Sequence, residues 1–138
     1  FSVSVNEQSL QDAIDNHFSD QIIEEYKCDK CNKVCKTDLC TKIKNTNYII
    51  LININSYDAC GKKIENKIII NDFIEINGQK FELFATINHF GRHDNGHYIC
   101  CVYTDKWYVI DDDNVHEMKN DLHKRCCYTL LYKSSRSI

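Results

Sequence analysis

The chain has 138 residues, 43% of them hydrophobic and 27% charged, with a formal net charge of −3. That length and balance fit one globular, soluble domain with a real core, and the acidic sign argues against a nucleic-acid partner, which calls for a basic face. No apolar run reaches the length of a membrane span and no signal peptide is visible, so no membrane partner is expected. Nine cysteines without a secretory signal point to reduced thiols or a metal site rather than a disulfide scaffold, and to an intracellular setting, cytoplasmic or nuclear.

Val3 to Val5 reads as the tail of a short strand. Ser9 then opens a helix in which Leu10, Ala13, Ile14, His17 and Phe18 recur at helical spacing along one apolar face. Ser9 and Asp12 form a capping-box pattern, and acidic residues in the first turns suit the helix dipole. His17, on or beside the apolar face, is expected to be packed or half-buried. Ile22 to Tyr26 leads into Cys28, Cys31, Cys35 and Cys40. Cys28 and Cys31 have the spacing of a zinc knuckle, two thiolates able to hold one ion from a tight turn. No second pair with that spacing follows, and Cys35 and Cys40 are cramped. Free thiols are therefore favoured over a structural zinc at Cys28 and Cys31, and no cofactor is required.

Tyr48 to Ile54 is a nearly continuous apolar run, the pattern of a central strand buried on both faces. Asp58 to Asn66, with Gly61 and several charges, reads as a loop, and Lys67 to Asn71 as a short strand around Ile68, Ile69 and Ile70. Gly78 marks a turn, after which Phe81, Leu83, Ala85 and Ile87 alternate as in a half-buried strand. Val115 to Lys124 reads as a polar connection with a helical turn, and Cys126 to Tyr132 as the strand that closes the sheet. The class is α+β: one domain over residues 1–138, a mostly antiparallel twisted sheet with one N-terminal helix.

The stretch from Asn88 to Val115 carries the chemistry. Two β-rich runs meet at the polar break Thr104-Asp105 and read as a hairpin. A turn centred there sets His97 opposite Asp111 or Asp112, according to loop length. Opposed side chains share a face about 5 Å apart, close enough for a carboxylate to fix and charge an imidazole. Gly91 and Gly96 flank a polar loop, where glycine permits positive φ or close backbone approach. Trp107 is expected in the core under the hairpin. His89, His93 and His97, four apart, would share a helix face and ligate zinc, but the glycines, Asn and Asp between them are loop composition and disfavour that reading.

These residues also carry a resemblance. His89-x-Gly91, then Gly96-His97-Tyr98, then Lys106-Trp107-Tyr108 and Ile110-Asp111-Asp112, resemble the histidine box of the ubiquitin-specific proteases. The helix with Ser9-Leu10-Gln11, the Glu25-Tyr26-Lys27-Cys28 stretch and the last run Tyr128 to Tyr132 resemble other parts of that catalytic domain in the same order. The resemblance implies a papain-like fold, of which this chain is the palm-and-fingers portion, and a thiol-dependent hydrolase acting at the ubiquitin C-terminus. It implies His97 as general base, Asp111 as its orienting partner and Asp112 as an assisting neighbour. His89, Gly91, Gly96 and Tyr98 would border the ubiquitin tail, or His89 would pack the loop. Cys28 and Cys31 would be half of a four-cysteine zinc site. The family ends its first long strand on Leu-x-Arg-Phe, where this chain has Ile54-Asn55-Ser56-Tyr57. None of the nine cysteines has the helix-start setting of the family's nucleophile. The chain begins with Phe1, past the point where that segment would lie, and so reads as a piece of a longer or processed protein. Ubiquitin is the expected partner, together with a separate polypeptide or segment carrying the catalytic Cys. The alternative is an inactive ubiquitin-binding or scaffolding relative of the same fold.

Overall fold

Ser9 caps helix α1 (Leu10–Phe18) in a computed structural model of the protein: its hydroxyl accepts from the Asp12 N–H, and the Asp12 carboxylate accepts from the Ser9 N–H. The structure describes all residues except Ala59, Gly61, Lys63, Glu65, Asn66, His93 and 136–138. Gly61 of the expected loop and His93 of the helical zinc pattern therefore lie outside the described residues. Leu10, Ala13 and Ile14 are the buried face of α1, and half-buried His17 stacks on Phe1 at 5.4 Å.

The strands are β1 (Ser2–Ser4), β2 (Gln21–Lys27), β3 (Val34–Leu39), β4 (Ile49–Asn55), β5 (Phe73–Ile76), β6 (Gln79–Arg92), β7 (Asn95–Tyr103), β8 (Trp107–Asp111), β9 (Asn114–Glu117) and β10 (Cys127–Ser134). Eight of them form one sheet in the order β1-β4-β10-β6-β7-β8-β9, with β5 paired to β6, while β2 and β3 form a separate ribbon. Among the described strand pairs of that sheet, β1–β4 is parallel and the rest are antiparallel. The expected α+β class, mostly antiparallel with one helix, is what the chain adopts.

Several expected elements are corrected. The segment around Ile68 to Ile70 contributes only a bridge from Ile69 to Ser9, and the strand lies just beyond it, at β5. Ile69 is 66% exposed while Ile70 is buried and Ile68 packs half-buried against the core, so the apolar run reflects core contacts rather than a ladder. β4 is not buried on both faces. Ile52 and Ile54 point into the core, whereas Ile49 and Leu51 are exposed on the other face. β9 lies inside the expected polar connection, ahead of a 3-10 turn at Leu122–Lys124. β10 is central rather than terminal, held between β4 and β6. Asn77 and Gly78 both have positive φ between β5 and β6, the pairing that a two-residue type I′ hairpin demands.

The main core joins α1 to the inner face of the sheet through Val3, Ile52, Ile54, Phe81, Leu130 and Tyr132. A smaller cluster of Ile99, Cys101 and Val109 sits under the β7–β8 hairpin, and Trp107 packs against both. Trp107, expected in the core, is half-buried at its edge. It stacks on the buried His123 at 4.2 Å. Burial holds the pKa of His123 below its ordinary 6.5, and its Nδ1 has no hydrogen-bond partner among the described residues. A histidine whose folded pKa is depressed gives stability that is complete above its unfolded pKa and is lost as pH falls through the folded value. The urea midpoint is therefore expected to fall below about pH 6.5, and His123→Phe, which keeps the ring stack, to flatten that fall. Among the described residues no helix is long and apolar enough to cross a membrane.

Candidate active site

Two rows of side chains converge on one point. Alternation along β7 sets His97, Ile99 and Cys101 on one face, and along β8 it sets Val109 and Asp111 on the same face. Ile99, Cys101 and Val109 are buried, so each row starts in packed core and ends on a polar residue at the surface. Those ends meet: His97 Nε2 lies 2.5 Å from Asp111 Oδ1, with the side chains 53% and 42% exposed.

The expected pair forms, but not by direct opposition. Tyr103 pairs with Trp107 and Cys100 with Ile110, so the loop is Thr104 to Lys106. Continued along the strands, that register would set His97 level with Asp113. Instead β8 stops at Asp111, and Asp112 and Asp113 turn the chain into β9, where Asp111 pairs with Asn114. His97 reaches Asp111 diagonally, a distance long side chains can bridge. Asp112 takes φ 51° at that turn, a left-handed conformation that Asp tolerates better than most residues. One ligand-type atom from each of His97, Asp111 and Asp112 lies within 4.8 Å of the others.

The hydrogen bond that His97 donates to Asp111 and then the charge of Asp111 raise the His97 pKa above its ordinary 6.5, and Asp112 adds to the effect. The imidazolium thus persists to higher pH than in a free histidine, and the neutral ring, once formed, is a stronger base. In Asp111→Asn the His97 midpoint, followed by NMR of its ring carbons, is expected to fall toward the ordinary value.

The glycines lie in strands rather than in an open loop, since the β6–β7 ladder runs to Gly91 with Gly96 and Arg92 with Asn95. Gly91 has φ +129°, and a Cβ there would stand 2.6 Å from Asn95 O. A Cβ on Gly96 would meet the His89 ring, 2.8 Å from its Cε1. His89 is 7% exposed and, by strand alternation, lies on the opposite face of the hairpin from His97. Tyr98, directly across from it, is 51% exposed.

Sequence reading alone passed over four residues here. Asn88 is fully buried. Its Nδ2 donates to Leu122 O at 3.1 Å and Arg125 O at 2.6 Å, and its Oδ1 accepts from Thr86 at 2.8 Å. Strict alternation from Phe81 predicts Ile87 inward and Thr86 and Asn88 outward, but β6 shifts register against β10 between Leu131 and Tyr132, so Thr86 and Asn88 are buried while Ile87 is only half-buried, and the local pattern gave no signal for Asn88. Tyr57, Tyr128 and His123 come from distant segments and left none.

Cys28 sits in the tight turn between β2 and β3, where backbone N–H groups of Cys31 and Lys30 lower its thiol pKa. That environment suits a thiolate, and the two cysteines make half of a tetrahedral zinc set. Among the described residues no third ligand joins them. The remaining cysteines lie on strands or loops, with none on α1. Cys101 is buried and Cys100 half-buried, as strand alternation anticipates, and burial raises both thiols. Cys127 is pushed up to about 12 by burial. Cys126, expected in the last strand, precedes it with φ 51°.

The profile of the family described as ubiquitin carboxyl-terminal hydrolase matches residues 3–132. An Arabidopsis thaliana protein named ubiquitin carboxyl-terminal hydrolase 8 is 38% identical over 63 residues, covering 41% of this chain and 7% of its own length. A Schizosaccharomyces pombe protein named probable ubiquitin carboxyl-terminal hydrolase 8 is 24% identical over 95% of this chain and 31% of its own length. Among solved structures, Ubp8 in a SAGA DUB module bound to monoubiquitin superposes with a TM-score of 0.83 at 17% identity, over 99% of this chain and 35% of that one. The same kind of module bound to ubiquitin aldehyde gives 0.75 at 17% identity, over 99% and 36%. The chain thus spans about a third or less of the relatives it matches. The chain belongs to the ubiquitin carboxyl-terminal hydrolase family, with a fold of the ubiquitin-specific protease type.

Proposed function

We propose that this chain supplies the general base and its orienting carboxylate to a thiol-dependent hydrolase that cuts the bond at the ubiquitin C-terminus. The observation that carries the reading is the His97–Asp111 contact at 2.5 Å. Because Nε2 is engaged by Asp111, Nδ1 is the nitrogen left to take a proton from a thiol. The resulting thiolate attacks the carbonyl carbon, and the imidazolium returns the proton to the leaving amine. Water then hydrolyses the thioester, with His97 again the base. Asp111 holds the ring and stabilises its charge, and Asp112 adds to the field. Gly91, Gly96 and exposed Tyr98 border the path of the ubiquitin tail, and His89 acts beneath them.

The nucleophile comes from a segment outside these residues or from a separate polypeptide. What supports this is the setting of the cysteines, none of them at the start of α1 and three with raised thiols on strands. The same observation favours a second reading, an inactive ubiquitin-binding module. Turnover by the complete protein separates the two: His97→Ala removes it in an enzyme and changes nothing measurable in a binder. A zinc at Cys28 and Cys31 would need two further ligands from outside the turn, and the reaction does not pass through it. The free cysteines support an intracellular setting, cytoplasmic or nuclear.

A further inference from the structure

We infer that Tyr57 and His89 act as a positioning pair for His97, holding the backbone on both sides of it from the opposite face of the hairpin. Tyr57 Oη lies 2.9 Å from His89 Nδ1, a hydrogen bond that fixes the imidazole plane whichever atom donates. The backbone N–H of His89 donates to Cys126 O at 2.9 Å, so the residue is anchored at both ends. Its ring then fills the space that Gly96 leaves by having no Cβ. On the other side of His97, Tyr98 lies over the same ring with centroids 4.5 Å apart, and Tyr128 flanks Tyr98 at 5.7 Å. Both chain neighbours of His97 therefore rest on one buried histidine.

One member of the pair marks a departure in the sequence. Tyr57 stands where the resembled pattern Leu-x-Arg-Phe ends in Phe, and a Phe ring has no hydroxyl to offer His89. The tether from β4 to the hairpin is thus made by a residue in which this chain departs from that pattern. Its consequence falls on His97 because His97 is exposed and, among the described residues, its side chain is held by Asp111 alone. A tilt of the Gly96–Tyr98 backbone moves Nε2 away from a partner it must meet diagonally. Neither Tyr57 nor His89 touches the reacting atoms, so their role is to place His97 rather than to react.

This inference rests on the catalytic reading only for its consequence, and its test does not depend on activity. In the isotope-labelled chain, the His97 ring is titrated by NMR in the native protein, in Tyr57→Phe, in His89→Phe and in the double variant. The native midpoint is raised by Asp111. Tyr57→Phe is expected to lower it and to shift the Gly96 and Tyr98 amides, while core amides such as those of Ile52 and Leu130 stay in place. His89→Phe, which keeps a ring over Gly96 but loses the hydrogen bond, is expected to match it. The double variant should add nothing further, because both changes break one link. An unchanged His97 midpoint in Tyr57→Phe, or effects that add in the double variant, would overturn the pair. In the complete protein, Tyr57→Phe should cut kcat by about 5-fold, the loss of one neutral hydrogen bond, with KM held. A normal NMR response alongside turnover that ignores His97→Ala would leave the positioning intact and sink the catalytic reading instead.

Discussion

In the complete protein, His97→Ala is expected to reduce hydrolysis of a ubiquitin C-terminal amide by at least about 10²-fold, and toward 10⁴-fold, while ubiquitin affinity changes little. The reasoning is chemical. A thiol is mostly protonated at neutral pH, and among the described residues His97 is the only imidazole held by a carboxylate at 2.5 Å with a second nitrogen to spare. Removing it leaves no base at the end of β7. It is also expected to leave the fold intact, because the side chain is half-exposed at the end of its strand. The effect should appear in kcat rather than in KM, since a proton acceptor matters in the transition state more than in binding. Asp111→Asn should lie between the native protein and His97→Ala. An activity that survives both substitutions would move the base elsewhere.

The largest expected loss of stability comes from Phe81→Ala. Phe81 is fully buried on β6, opposite Ile74 of β5 and Ser134 of β10, so three strands close around its ring. Removing a buried aromatic ring costs about 3–5 kcal/mol, against roughly 5–15 kcal/mol for a whole domain. The melting temperature should drop on the order of 10 °C or more, read by circular dichroism or calorimetry. β6 is also the strand whose far end carries His89 and Gly91. A milder core change on it, such as Leu83→Ala, should therefore loosen the hairpin before the domain unfolds. Amide exchange would show this as loss of protection along β6 and β7.

What the sequence made legible was whatever a single short segment dictates. The Ser9 cap, the apolar face of α1, the Phe81-to-Ala85 alternation and the β7–β8 hairpin each follow from neighbours in the chain. The His97–Asp111 pair was legible too, because one hairpin brings both residues together. Its geometry was less so: the loop took in Lys106, and the strand ended at Asp111 instead of running on. Non-local facts left weaker traces. An apolar run reads alike whether one face is covered or two, so Ile49 and Leu51 looked buried. β5 alternates over four residues only, too few to outweigh the isoleucine run before it. The glycines looked like an open loop because their composition says nothing of a ring from His89 filling the space beside them. Tyr57 reaches His89 across 32 positions, and no local pattern records such a contact.

The central claim is that His97 serves a thiol, and labelling tests it most directly. The complete protein is exposed to ubiquitin carrying a thiol-reactive group at its C-terminus, and the adduct is mapped by peptide mass in native and His97→Ala forms. The account predicts one adduct, on a cysteine other than the nine present here, formed at least about 10²-fold more slowly without His97. An adduct that forms equally fast in His97→Ala would contradict it.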